Sequence, residues 1–377
     1  MLKLRFLQQA TLAQAGPQVN FRRRVPAITR QSCFLWGLRG ENAWRDGKDF
    51  QRDGSMNYDV FNGDADGICA LHQLRLAYPA EGELVTGVKR DISLLGRVQA
   101  GRGDRVSVLD LAMSKNRDAL LALLERGAQV EYFDHHIPGE IPHHPLLSAV
   151  IDTRPDVCTG LLVNRHLQGR FPAWAVVAAF GDNMRQSALR AAEPLGLGEP
   201  QLEQLRELGE CINYNAYGES VEDLHFHPAE LYRLVHRHRD PFGFVREEAA
   251  FETLRTGYAE DMALACAVRP ETETGSGAVY ILPDRPWSRR VSGAFGNHLA
   301  GAAPGKAHAV LTRRSEGGFL VSVRAPLARG TGAEALCRQF ETGGGRKGAA
   351  GINRLPEDQL GRFLELFDQG FRPGRPC

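Results

Sequence analysis

Between residues 57 and 183 the apolar residues come as short blocks of strand length separated by stretches with helical spacing. Residues 58–61, Tyr-Asp-Val-Phe, read as a strand. Residues 67–78 carry Ile68, Leu71 and Leu74 three apart, which predicts a helix. Residues 106–111 repeat the strand signal, and Ser114 is a good N-cap for a helix bearing Leu120, Leu123 and Leu124. Strands are predicted again at 129–133 and 149–152, and the apolar run 173–180 predicts a buried helix. Short strands alternating with helices imply βαβ units and a parallel sheet, and ligands of such sheets bind beyond the C-terminal strand ends.

Residues 200–250 read as helical and polar, suited to a connector. A second α/β unit follows, with strands predicted at 278–282, 307–311 and 319–323, a helix at 332–340, and then Gly343-Gly344-Gly345. Residues 1–55 have neither steady periodicity nor strand signals and end in the polar stretch Gln51-Arg52-Asp53-Gly54-Ser55. They are expected to be a non-core or disordered extension, with Met56 as the biological start. The expected domains are therefore 56–205, a helical connector at 206–265, and 266–377.

Charge sharpens this division. The whole chain carries only +1, yet residues 1–55 carry +6, 56–284 carry −13 and 285–347 carry +8. An acidic unit joined to a basic one suits an enzyme of anions, with cations held by the first and substrate by the second. Uneven surface charge is the plainer alternative. No run of about 18 apolar residues occurs, so no membrane span is expected. The seven cysteines are scattered without a CxxC pair, which argues against a disulfide framework or a thiolate zinc site and for a reducing cytoplasm.

Four acidic or acidic/histidine clusters follow predicted elements: Asp64 with Asp66, Asp110, Asp134-His135-His136, and Asp182. Any one of these aspartates by itself reads as a cap or turn residue. Together at one edge of a parallel sheet they would repel one another unless divalent cations neutralised them. Oxygen-rich donors with an imidazole suit Mn²⁺ or Mg²⁺ better than tetrahedral zinc. Two such ions activate a water for in-line displacement at phosphorus.

The stretches NGDADG (62–67), VLDL (108–111), DHH (134–136) and GD (181–182), in this order, resemble the DHH phosphoesterase superfamily. GGGRKGAAG (343–351), after the strand carrying Arg324, is similar to its associated C-terminal substrate-binding domain. The resemblance implies a parallel-sheet catalytic domain, a smaller C-terminal α/β domain, an active site in the cleft between them and two Mn²⁺ ions, or Mg²⁺ in their place. It assigns Asp64 to the first ion, Asp66 to the second and Asp110 to both, with His135 and Asp182 completing the second site. His136 would face the scissile phosphate, and Asp134 would orient the histidines. Arg324, Gly343, Gly344, Gly345 and Arg346 would bind substrate. Asn62 stands where the family commonly has His or Asp, and Arg346 where it usually has His.

The expected function is a Mn²⁺-dependent hydrolase, exonuclease- or oligoribonuclease-like, acting on short single-stranded oligonucleotides or a nucleotide phosphate, with a homodimer as a further expectation. The alternatives are a small-molecule phosphatase for nucleoside bisphosphates or pyrophosphate, and a non-catalytic nucleic-acid-binding protein with a degraded metal site. Two weaker features stand apart. His225, His227, His236 and His238 form HxH pairs that read as a metal site or as capping histidines. Arg285, Trp287, Arg289 and Arg290 read as a nucleic-acid surface or as a structural tryptophan among cations.

Overall fold

The computed structural model describes residues 54–372. The expectations for the N-terminal extension, including Met56 as the start, concern residues that lie largely outside this range.

The first sheet is built from β1 (Asn57–Phe61), β2 (Glu83–Val85), β3 (Arg105–Leu109), β4 (Gln129–Asp134) and β5 (Leu147–Ile151). They run parallel in the order β2-β1-β3-β4-β5, so the chain reverses its direction of travel across the sheet between β1 and β3. Such a reversal leaves a crevice at the C-terminal strand ends where ligands bind. Alternate strand residues face opposite ways. Phe61, Leu109 and Phe133 enter one apolar core, while Val60, Val108 and Tyr132 enter another on the far face.

Between the strands lie α1 (Ala65–Ala77) and α2 (Met113–Glu125), followed by α3 (Thr159–His166), α4 (Pro172–Gly181) and α5 (Arg185–Ala192). The helix expected at 67–78 starts earlier because the Asp64 side chain caps it, accepting from the backbone N–H groups of Asp66 and Gly67. The strand expected at 106–111 ends at Leu109, and that expected at 149–152 spans 147–151.

The segment expected to be a polar connector folds as α6 (Glu199–Tyr214), α7 (Pro228–His236), α8 (Pro241–Glu247) and α9 (Ala249–Cys266). Its apolar residues are interspersed among charges, so composition hid an amphipathic pattern. Leu205, Leu208, Ile212, Leu231, Phe244 and Leu254 are fully buried in the core that also holds α1 and α4.

The second sheet comprises β6 (Thr272–Glu273), β7 (Gly277–Leu282), β8 (Ala307–Arg313), β9 (Phe319–Arg324), β10 (Gly343–Gly345) and β11 (Ala349–Leu355). Its order is β10-β11-β9-β8-β7-β6, with β7 and β8 parallel and the other pairs antiparallel. One face is covered by α10 (Pro286–Ala302), and the other by α11 (Ala333–Cys337) and α12 (Leu360–Phe371). The helix expected at 332–340 is thus confined to α11, while α10, β11 and α12 had no sequence-based expectation. Tyr214 and Ala265 pack with Val291, Phe295 and Val310, so α6 and α9 dock against α10 and the second sheet.

Candidate metal centre

Backbone geometry at three strand ends builds the centre. After β1 the chain turns through Asn62 and Gly63 to Asp64, after β3 it meets Asp110, and β4 ends at Asp134, which leads into His135 and His136. Asp110 has φ of +60°, a left-handed conformation uncommon for a residue with a side chain. Its N–H donates to the Phe133 carbonyl at 3.0 Å, which anchors the turn to β4. Asp182 arrives from the other direction as the C-cap of α4. A Cβ on Gly181 would lie 2.3 Å from the Ala65 Cβ and 2.8 Å from the Gly209 carbonyl oxygen. Glycine therefore lets α4 press against α1 and α6, and this contact brings Asp182 to the cluster.

Asp66, His135 and Asp182 offer ligand atoms within 4.8 Å of one another, and so do Asp110, His135 and His136. His135 Nδ1 donates to the Val157 carbonyl at 2.8 Å, which leaves Nε2 as the nitrogen that faces the cluster. Nε2 lies 3.5 Å from Asp110 Oδ1 and 3.9 Å from Asp182 Oδ2. An imidazole nitrogen aimed at two carboxylates suits an ion between them. Asp66 is aimed by the N-terminus of α3, accepting from the Thr159 and Gly160 N–H groups, both at 2.7 Å. The Thr159 hydroxyl donates to Asp110 at 3.0 Å. Burial, together with Asp66, Asp64, Asp182 and Asp134, drives the Asp110 carboxyl well above the ordinary range. Such crowding is relieved by a bound cation. Two donor groups that share His135 thus suit a divalent ion: Asp66 with Asp182, and Asp110 with His136.

Asp64 is engaged differently. One oxygen caps α1 with two 3.0 Å hydrogen bonds, and the other pairs with the Lys89 ammonium. Lys89 Nζ also donates to Asn213 Oδ1 at 3.0 Å and lies 3.8 Å from Asp182 Oδ1. The Asn62 amide is used within the same loops: its oxygen accepts from the Asp64 N–H at 3.3 Å and its nitrogen donates to the Lys89 carbonyl at 3.4 Å. Asp64, assigned to a first ion, is thus engaged by the α1 N-terminus and by Lys89. The fully buried Asp134 accepts from His136 Nδ1 at 2.7 Å. Burial disfavours the imidazolium, yet the Asp134 carboxylate outweighs it and raises the His136 pKa above its ordinary value.

Similarity to solved structures bears on this architecture. A DHH-domain member of the s1p family of ribosomal proteins superposes with a TM-score of 0.56 at 15% identity, covering 84% of this chain and 86% of that one. Exonuclease RecJ bound to manganese gives 0.55 at 17% identity, over 84% and 90%. RecJ from Thermus thermophilus in complex with Mn²⁺ gives 0.50 at 16% identity, over 84% of this chain and 52% of that one. The chain has the DHH fold. No family model and no curated protein matches the sequence.

In this DHH fold the second domain meets the first across a cleft of about 650 Å³ bordered by Arg90, Arg97, Arg313 and Arg314. Arg90 and Lys89 share one loop. Lys89 enters the acidic cluster, and Arg90 Nη1 donates to Asn353 Oδ1 on β11 at 2.9 Å. Gly343, Gly344 and Gly345 pair with β11 as one arm of a hairpin, and Arg346 is exposed at its turn, its N–H donating to the Ala349 carbonyl at 2.8 Å. Gly345 has φ of +139°, and a Cβ there would lie 2.5 Å from the Ala350 Cα. Arg324 is pinned by Asn297 at 2.7 Å and Ser322 at 2.9 Å.

The weaker sequence features resolve into structural roles. His225 meets the Tyr214 hydroxyl at 2.7 Å, His227 caps α7, His236 faces His72 at 3.1 Å and His238 faces Glu248 at 3.0 Å. Arg289 pairs with Asp223 at 2.7 Å and Arg290 with Asp261 at 2.7 Å, while Trp287 packs beside the Tyr214 cluster. Sequence reasoning missed Lys89, Asn213 and Thr159. All three lack a motif, and only the fold brings them to the centre.

Proposed function

We propose that this protein is a divalent-cation-dependent phosphoesterase that hydrolyses phosphodiester bonds in short single-stranded oligonucleotides or a nucleotide phosphate. The observation that carries the reading is the gathering of Asp66, His135 and Asp182 ligand atoms within 4.8 Å of one another, with Asp110 Oδ1 3.5 Å from His135 Nε2. RecJ, the manganese-bound exonuclease of the same fold, supports it. A bound Mn²⁺ or Mg²⁺ would supply an activated water and Lewis-acid stabilisation of phosphoryl oxygens.

The chain's own groups do the rest. Thr159 and Gly160 hold both oxygens of Asp66 in register, and Asp134 holds His136 Nδ1, leaving Nε2 to donate to a phosphoryl oxygen as charge develops. The arginines bordering the cleft draw in an anionic chain. Arg346, exposed at the hairpin turn of the second domain, is a planar fork for a phosphate beyond the scissile one. Free thiols at Cys69, Cys158, Cys211, Cys266 and Cys337 suit work in a reducing cytoplasm. Among the described residues no helix is long and apolar enough to cross a membrane.

Hydrolysis of an aryl phosphodiester and of a dinucleotide by the full chain, with and without added Mn²⁺, tests the proposal. Metal-dependent turnover of the dinucleotide, abolished by a chelator, is expected. Binding of single strands without any turnover would make the protein a nucleic-acid-binding module instead.

A further inference from the structure

Lys89 is built into the acidic cluster from three directions. Its N–H donates to the Ala216 carbonyl at 2.8 Å, Asn62 holds its carbonyl, and its ammonium lies 5.7 Å from the centre of the Tyr217 ring. The ammonium is shared among Asp64, Asn213 and Asp182. Two of its donors are used by Asp64 and Asn213, and Asp182 is an ion-pair neighbour at 3.8 Å. Asp64, assigned above to a first ion, has one oxygen committed to capping α1 and the other to this lysine. Asn62, the other residue at that place, ties two loops together through both halves of its amide. The cation-binding capacity on the β1 side of the cluster is thus already satisfied by a side chain.

We propose that the centre takes a single divalent cation, at Asp66, Asp110, His135 and Asp182, and that the Lys89 ammonium stands permanently where a second cation would sit. This deepens the phosphoesterase reading and rests on it. Lys89 is a positioning residue. It neutralises Asp64 and borders Asp182, so it fixes the electrostatic frame in which the single ion is held. A divalent ion placed against Asp64 would meet the fixed positive charge of the Lys89 ammonium that already pairs with it. Asn62, a neutral amide, would offer little to offset that repulsion.

Metal stoichiometry decides the matter independently of activity. The full chain, saturated with Mn²⁺ and freed of excess by gel filtration, should retain one Mn²⁺ per chain and show the six-line electron paramagnetic resonance spectrum of an isolated ion. Lys89→Met, similar in length but uncharged, should retain two, with the signal broadened by coupling between neighbouring ions, and Lys89→Arg should stay at one. Two coupled ions in the wild type would overturn the proposal, and this result needs no variant to fold. A Lys89→Met protein that melts like the wild type yet stays at one ion would also overturn it. No retained Mn²⁺ in the wild type would remove the cation-centre reading itself, an outcome distinct from a count of two.

Discussion

Two residues of the cluster have roles that separate cleanly by substitution. Asp110 adopts a left-handed backbone that asparagine also tolerates, so Asp110→Asn removes the charge without straining the turn. With the crowding of carboxylates relieved, the metal-free variant should melt at or above the wild-type temperature, while its Mn²⁺ affinity falls at least about 100-fold, beyond the loss usual for a group that only orients a ligand. Calorimetric titration with Mn²⁺ and a thermal melt check both halves, and wild-type affinity would remove Asp110 from the ligand set. His136 is held by Asp134 through one nitrogen only. His136→Ala should keep the ion yet lower kcat by roughly 10² to 10³, the scale for one donor to a developing oxyanion. Loss of the ion in that variant would make His136 a ligand, as its proximity to Asp110 and His135 allows.

At the scale of elements, the first sheet carries a polar row across its apolar face. Asp59, Ser107 and Glu131 are lateral neighbours on β1, β3 and β4, and Arg75 from α1 bonds Asp59 Oδ2 at 3.0 Å and Ser107 Oγ at 2.9 Å. Burial pushes the Glu131 carboxyl up to about 7 from 4.5, with Arg75 and Arg105 opposing. The folded chain therefore keeps this proton to higher pH than the unfolded one, and stability falls as pH rises from about 4.5 to 7. Glu131→Gln should flatten that slope and leave the protein more stable at pH 8 by roughly 2 to 3 kcal/mol. Urea unfolding of both proteins at pH 5 and 8 gives the comparison, and parallel slopes would disprove the assignment. Helix packing supplies a second prediction. Gly181→Ala drives a methyl into Ala65 and the Gly209 carbonyl, so it should cost about 1 to 3 kcal/mol and weaken Mn²⁺ binding by displacing Asp182. A melt with an unchanged midpoint would mean that α4 shifts without penalty.

Over the whole molecule, the two sheets are joined by ion pairs that are nearly dry. Arg290 on α10 donates to Asp261 at 2.7 Å, to the Tyr214 hydroxyl at 3.0 Å and to the Asp223 carbonyl at 2.6 Å. Removing one partner strands the other, so Arg290→Ala should destabilise by roughly 3 to 5 kcal/mol. The double variant with Asp261→Ala should recover part of that loss in denaturant melts, whereas additive losses would mean that the two do not act as a pair. Reading of substrate belongs to the same scale, because Arg346 lies on the second domain. Arg346→Ala should raise KM for a dinucleotide by roughly tenfold to a hundredfold, the worth of one charged hydrogen-bonding partner, and leave an aryl phosphodiester unaffected. An equal loss on both substrates would assign Arg346 to the fold.

Much of this arrangement follows from the chain read linearly. Asp64, Asp110 and His135 each follow a short apolar strand, and parallel strands in βαβ order put their C-terminal ends on one edge, so spacing alone brings these residues together. The parallel α/β sheet was legible for that reason, while the DHH fold was implied by the resemblance carried by NGDADG, VLDL, DHH and GD. The domain described as a polar connector was not, because Leu205, Ile212 and Leu254 are scattered among charges and become a core only once α1 and α4 supply the opposing surface. Nor could the sequence reveal that Lys89 meets Asp64, that Thr159 and Gly160 aim Asp66, or that Arg289 and Arg290 are spent on Asp223 and Asp261. A strand end is a local property that periodicity encodes. The partner of a charge is decided by which loops and helix ends the packed helices bring within a few ångströms, and residues far apart along the chain carry no local mark of that meeting.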